Sequence, residues 1–218
     1  RHFMDGVPEE ERQKVMEIIK KKKSQRKKVS IEKLNSKISE YLVAVPKLIQ
    51  SEFEKLGYTV KWTQGRQKWL DAADYGVPQS RKRVFFIGSR LGKLIVLPTP
   101  THSKNSSTLL KPYVTLKEVI GDLPFPGISE GDELYEGGFS PIYMSRNRRR
   151  GRGEASYTIQ AGARHIPLHP GCPPMKKVGE DKWMFSDGPI RRLSVRECAR
   201  IQTFPDDFVF LGNTEQKY

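Results

Sequence analysis

Only two cysteines, Cys172 and Cys198, occur in the 218 residues, which leaves no material for a disulfide scaffold and fits a reducing compartment. No apolar run approaches the length of a membrane span, and no N-terminal apolar segment reads as a signal peptide. These absences point to a soluble, cytoplasmic protein. Acids are short as well: 25 Asp and Glu stand against 39 Lys and Arg, leaving a net charge of +14. Such a surplus draws a protein toward a polyanion and makes the binding salt-dependent, so nucleic acid is the natural partner. Eighteen Gly and fifteen Pro beside 36% hydrophobic residues imply many turns around one large or two small cores, and exclude a helical bundle.

Along the chain, Pro8 followed by EEERQKVMEIIKKKK reads as a short helix with acids in its first turn and lysines in its last, matching the helix dipole. The charge run Lys20–Lys23 and Arg26–Lys28 reads as a solvated linker or, alternatively, a binding tail. From Ser30, Ile31, Leu34, Ile38, Leu42, Val45, Ile49, Phe53 and Leu56 recur on one helical face that Gly57 terminates. Pro46 interrupts it, so Lys47–Leu56 is expected as a separate helix. Tyr58–Thr63 alternates like a strand, which gives α/β order. Past Pro98 a Pro-, Ser- and Thr-rich segment reads as a linker. Thr115 with Glu118 forms a capping box for a short helix. The acidic, glycine-rich Gly127–Gly138 is expected to be a flexible loop.

The stretch DAADYGVPQSRKRVFFI, residues 71–87, carries the chemistry. Gln79, Arg81 and Arg83 alternate ahead of the apolar run Val84–Ile87, and alternation is strand spacing. A strand over Arg81–Gly88 would place an amide and two guanidinium forks on one face at a sheet end, where phosphates and base edges bind. The same charges would equally guard an edge strand against aggregation. Further on, SRNRRRGR packs Arg146, Arg148, Arg149, Arg150 and Arg152 into eight residues, either as a solvated basic loop or as a phosphate-contacting one. His165, His169 and Cys172 are spaced for metal binding only in part, because Pro167 and Pro170 break any helix that would align them, and no metal is expected. Ser194 and Glu197 form a second capping box, with Arg196 and Arg200 four apart on the helix it opens and Pro205 as its stop.

GVPQSRKRVFFIG resembles the Gln-x-Arg-x-Arg block of DNA cytosine-5 methyltransferases of bacterial restriction-modification type. RRLSVRECARIQTFPDDF, residues 191–208, is similar to the helix that follows their target-recognition region. Two blocks in that order make the resemblance specific. It implies an α/β fold: the C-terminal part of a Rossmann-like, S-adenosylmethionine-dependent sheet, joined to a small, mostly irregular or β target-recognition domain. The implied layout is a basic N-terminal segment over 1–29, catalytic-domain sequence over 30–97, recognition domain over 98–190, and a returning helix over 191–218.

In that family a Cys thiolate adds to C6 of a cytosine turned out of the duplex. C5 then attacks the methyl of S-adenosylmethionine, and loss of the C5 proton releases the enzyme. The resemblance implies Arg83 at the cytosine O2, Arg81 bracing the site against the DNA backbone, and Gln79 supporting the active-site loop. It puts Thr158, before Ile159, on the DNA backbone beside the flipped base, with Arg146, Arg148, Arg149, Arg150, Arg152 and Arg164 also on double-stranded DNA. Arg192, Arg196, Glu197 and Arg200 fall at the structural junction, Arg196 and Arg200 being placed to reach the recognition domain. The Phe-x-Gly-x-Gly cofactor loop, the Pro-Cys nucleophile, the Glu-Asn-Val segment and the terminal Gly-Asn-x-Val-Pro block are absent. The expectation is therefore a C-terminal portion, inactive alone, that works with a complementary N-terminal half on the bacterial nucleoid. A non-catalytic DNA-binding remnant is the alternative.

Overall fold

The computed structural model describes residues 45–63, 69–105 and 109–218, together with the exposed helical positions Glu10, Gln13 and Glu17. Those three positions accord with the N-terminal helix. The rest of that helix, the Lys20–Lys28 charge run and the part of the apolar stripe before Val45 lie outside the described residues. The chain divides into two compact units, one of Arg1–Trp62 with Phe86–Val96 and the other of Thr63–Phe85 with Leu97–Tyr218.

In the first unit, α1 (Val45–Lys55) includes Pro46 and covers most of the helix expected over Lys47–Leu56, while the residues before Val45 lie outside the described ones. Gly57, at φ +82°, turns the chain into β1 (Thr59–Trp62), which pairs antiparallel with β4 (Phe86–Ser89). Trp62 stacks on the facing Phe86 and donates from Nε1 to Gln50 Oε1 at 2.8 Å, tying helix to strand.

The second unit opens with β2 (Leu70–Asp71), pairing antiparallel with β3 (Lys82–Arg83). Between them lies a single 3-10 turn, Ala72–Tyr75, that Asp71 caps and Gly76 ends at φ +87°. The continuous strand expected over Arg81–Gly88 is interrupted at Val84 and Phe85. Its two ends pair with different partners, and Phe85 turns aside to Thr63: its amide donates to Thr63 Oγ1 at 3.3 Å and its carbonyl accepts from Thr63 N at 3.1 Å. Two parallel strands, β5 (His102–Ser103) and β6 (Lys111–Pro112), and a hairpin, β7 (Lys176–Gly179) with β8 (Lys182–Met184), complete the pairing. The chain is mixed α/β, with four two-stranded sheets among the described residues.

Packing of α2 (Leu116–Ile120) against α3 (Val195–Ile201) makes the first core, from Leu116, Ile120, Ile159, Ile166, Leu193, Cys198 and Ile201. Both helices start on the capping boxes read from the sequence: Glu118 accepts from the Thr115 backbone at 2.6 Å, and Glu197 from the Ser194 backbone at 2.9 Å. α3 ends at Ile201, earlier than Pro205, because Thr203 takes a left-handed φ of +67°. The last helix, α4 (Thr214–Lys217), precedes Tyr218, whose hydroxyl donates to Leu193 O at 2.8 Å. A second core gathers Tyr143, Leu168, Cys172 and Met175.

A buried ion pair holds these parts together. Arg191 Nη1 and Nη2 each donate to a Glu197 carboxylate oxygen at 2.8 Å, while Nε and Nη2 reach the carbonyls of Pro126, Pro124 and Gly127. Arg192 donates to Gly137 O and Gly138 O and lies over the rings of Phe139, Tyr143 and Tyr135. The Gly127–Gly138 loop is therefore fastened rather than loose: Glu133 also accepts Val195 N through its carbonyl and pairs with Lys217. Of the junction residues, Arg200 joins α3 to the turn after α2 through Asp122 at 2.7 Å and holds Asp206 at 2.7 Å, and these carboxylates raise its pKa. Arg196 donates to Asp206 O.

Glu197→Ala leaves Arg191 buried without its counter-charge and should destabilise the fold by roughly 3–5 kcal/mol, read as a lower urea midpoint at unchanged m-value. His169 supplies an acid-sensitive element beside this pair. Its Nδ1 accepts Gly171 N at 2.9 Å, so the neutral ring carries its proton on Nε2, 3.5 Å from Glu197 Oε1. Burial, then the charges of Arg191 and Arg152, push its pKa down to about 3 from 6.5. Between these values the unfolded chain binds a proton that the folded chain refuses, so stability present above about pH 6.5 is lost as pH falls toward 3. His169→Gln should shrink the loss of urea resistance between pH 6.5 and 4; an unchanged profile would assign the acid sensitivity elsewhere.

Candidate DNA-facing catalytic block and recognition segment

The block after the 3-10 turn is shaped by Asp71. Its Oδ1 accepts Ala73 N at 3.3 Å and Arg81 N at 2.7 Å, and its Oδ2 accepts Ser80 Oγ at 2.8 Å. One buried carboxylate thus folds Ala72–Ser80 into a loop and delivers Gln79, Arg81 and Arg83 at its exit. Gln79 is 1% exposed, and its amide makes no hydrogen bond among the described residues. Arg81 is half-buried and donates from Nη1 to Ile159 O at 3.0 Å. Arg83 is exposed, bonded only to Lys82 O among the described residues.

Residues 156–159 dock on this loop. Gln79 and Ser156 form a parallel bridge, in which Ser80 N donates to Ser156 O and Ser156 N to Pro78 O, both at 2.9 Å. Thr158 Oγ1 then donates to Ser80 O at 2.7 Å. Residues 78 apart in sequence are so brought into register, and three of the residues singled out in the sequence, Gln79, Arg81 and Thr158, lie within one backbone-paired patch.

The arginine-rich run separates by burial. Arg148, 6% exposed, donates to Tyr143 O at 2.8 Å and Ile142 O at 3.2 Å and lies 4.7 Å from the Tyr143 ring centroid. Burial lowers its pKa. Arg149 donates to Cys172 O at 2.6 Å and Pro170 O at 2.9 Å. Arg150 pairs with Glu154 at 2.8 Å and stacks over Tyr157. These three guanidinium groups bond within the chain, whereas Arg146, Arg152 and Arg164 are exposed. A run of arginines could not reveal this division, because it depends on the Tyr143 pocket and on the carbonyls of Pro170 and Cys172, which come from elsewhere in the chain.

The model of the C-5 cytosine-specific DNA methylase family matches residues 13–218. The chain belongs to that family. Similar proteins include the type II methyltransferases M.BsuRI of Bacillus subtilis, 46% identical over 78% of this chain and 37% of its own length, and M.MthTI of Methanothermobacter thermautotrophicus, 47% identical over 75% and 51%. M.NgoPII of Neisseria gonorrhoeae is 41% identical over 73% of this chain and 49% of its own length. The chain spans about half or less of the length of these curated relatives, which are methyltransferases of restriction-modification type.

Both cysteines of this chain are buried. Cys198 is wholly buried and burial pushes its thiol well up; Cys172 is also raised by burial, and its Sγ engages the Arg191 backbone. The family uses S-adenosylmethionine. The cavity of about 280 Å³ beside α3 is lined by Asp132, Glu133, Asp206 and Asp207; Glu133 and Asp206 pair with Lys217 and Arg200, and Asp132 accepts Arg196 N. Among the described residues no group of three His, Cys, Asp or Glu side chains is placed for a metal, and no helix is long and apolar enough to cross a membrane. Sequence reasoning missed Asp71, Ser80 and Ser156. An Asp at a strand end before Ala-Ala signals a cap, but its reach to Ser80 and Arg81 follows only from the folded loop.

Arg148→Ala should lower stability by about 2–4 kcal/mol through two orphaned carbonyls and a lost cation–π contact, and leave the salt slope of duplex binding unchanged. Arg164→Ala should be nearly neutral in urea and reduce that slope by roughly one. The reverse pattern in paired urea and salt titrations would exchange their roles.

Proposed function

We propose that this chain is the C-terminal, DNA-recognising portion of a bacterial cytosine-5 methyltransferase. It transfers methyl groups only when joined to a half that carries the Cys nucleophile and binds S-adenosylmethionine, the methyl source. The backbone pairing of Ser80 with Ser156 carries this proposal, because it mounts the arginine block directly on the recognition segment. In this reading α1, β1 and β4 belong to the edge of a Rossmann-like sheet, residues 98–190 form the target-recognition domain, and residues 191–218 return toward the catalytic domain. The substrate is cytosine flipped out of double-stranded DNA, and the protein works in the cytoplasm, on the nucleoid.

Each residue has a task in that scheme. The exposed Arg83 guanidinium swings to the cytosine O2, where a fixed cation stabilises charge building in the ring as the thiolate adds to C6. Gln79, buried with an unbonded amide, suits the support of an active-site loop from the complementary half. Arg146, Arg152 and Arg164 supply cations for the phosphate backbone, and Arg81 keeps further N–H groups for it beyond the one on Ile159. The burial of both thiols also favours a second reading, a DNA-binding remnant without chemistry.

Transfer of labelled methyl from S-adenosylmethionine to duplex cytosine distinguishes these, assayed with this chain alone and with this chain co-expressed with a Pro-Cys-bearing half. Activity only in the pair is expected; activity of the chain alone overturns the proposal, and duplex binding without transfer in either selects the remnant. In the active pair Arg83→Ala should reduce transfer at least a hundredfold, the scale of a lost charge-stabilising donor, while retaining most duplex binding. A comparable loss of binding would reassign Arg83 to the phosphate backbone.

A further inference from the structure

We infer that Thr158 and Arg81 form a clip through which the recognition segment fixes the position of Arg83, so that both act as positioning residues; this deepens the methyltransferase reading above and rests on it. Thr158 has one O–H, and it donates to Ser80 O at 2.7 Å. That hydroxyl cannot at the same time donate to a DNA phosphate. Arg81 makes the reciprocal link, from its guanidinium to Ile159 O at 3.0 Å, while its own backbone N–H is fixed on Asp71 at 2.7 Å.

Arg83 lies two residues beyond, at the end of β3, which is only two residues long and pairs with Leu70 and Asp71 alone. So short a ladder is a weak support. The lateral placement of Arg83 therefore depends on what holds Ser80 and Arg81, namely the Asp71 carboxylate on one side and the Ser156–Ile159 backbone on the other. A displacement of the recognition segment on DNA is carried to Arg83 through the backbone. Recognition and charge stabilisation at the base become one mechanical unit without Thr158 touching DNA.

The test compares Thr158→Val, which removes the hydroxyl at nearly constant volume, with Thr158→Ser, which keeps it. In the chain joined to its catalytic half, single-turnover methyl transfer should fall about tenfold in the Val variant, the scale of one hydrogen bond. Duplex affinity and its salt slope should hold, and the Ser variant should recover transfer to within about twofold. A Val variant whose salt slope drops by roughly one places Thr158 on a phosphate and overturns the clip. So does a Ser variant as poor as Val, which would make methyl packing the cause. If the unmodified pair transfers nothing, the methyltransferase reading fails by itself. The clip is then judged on this chain by amide hydrogen exchange: faster exchange at Ser80 and Ser156 in Thr158→Val supports it, and unchanged rates refute it.

Discussion

Burying the Arg191 guanidinium is the constraint on which the second unit depends. A cation 7% exposed would be costly unless its donors were met, and here Glu197 and the neighbouring carbonyls of Pro124, Pro126 and Gly127 meet them. The result is topological as much as energetic. These acceptors come from two segments far apart in the chain, residues 124–127 and Glu197 on α3. The pair also fixes the start of α3, since the same Glu197 carboxylate closes the capping box on Ser194. His169, stacked on Phe125 and facing Glu197, packs the last open side. With α3 so fixed, Leu193, Cys198 and Ile201 meet Ile159, and residues 156–159 are set down against the loop that Asp71 shapes.

One residue type does several jobs in this molecule, and burial separates them. The net +14 suggests a surface coated with cations, yet Arg148, Arg149, Arg191 and Arg192 bond inward, to carbonyls, a carboxylate and aromatic rings. Guanidinium suits this because its planar fork can satisfy several carbonyls at once and stack on a ring. Of the arginines singled out in the sequence, Arg83, Arg146, Arg152 and Arg164 are exposed, more dispersed than the run suggests. The inward-bonded arginines form part of the interior of the second unit.

What could be read in the sequence was local. Both capping boxes and the strand at Tyr58–Thr63 were legible because a capping box spans four residues and alternation is a local pattern. The Gly127–Gly138 loop was misjudged as flexible because its restraints come from Arg192, α3 and Lys217, all distant in sequence. The strand over Arg81–Gly88 was drawn too long because alternation carries no information on which partner each half will pair with.

The sequence by itself determined the family, through two blocks in a fixed order, since motif order survives in the linear chain. Only the tertiary structure decided which arginines face solvent, that Thr158 donates to Ser80, and that Asp71 organises the block. Those outcomes depend on burial and on hydrogen bonds between residues as much as 78 positions apart, and no local spacing encodes them.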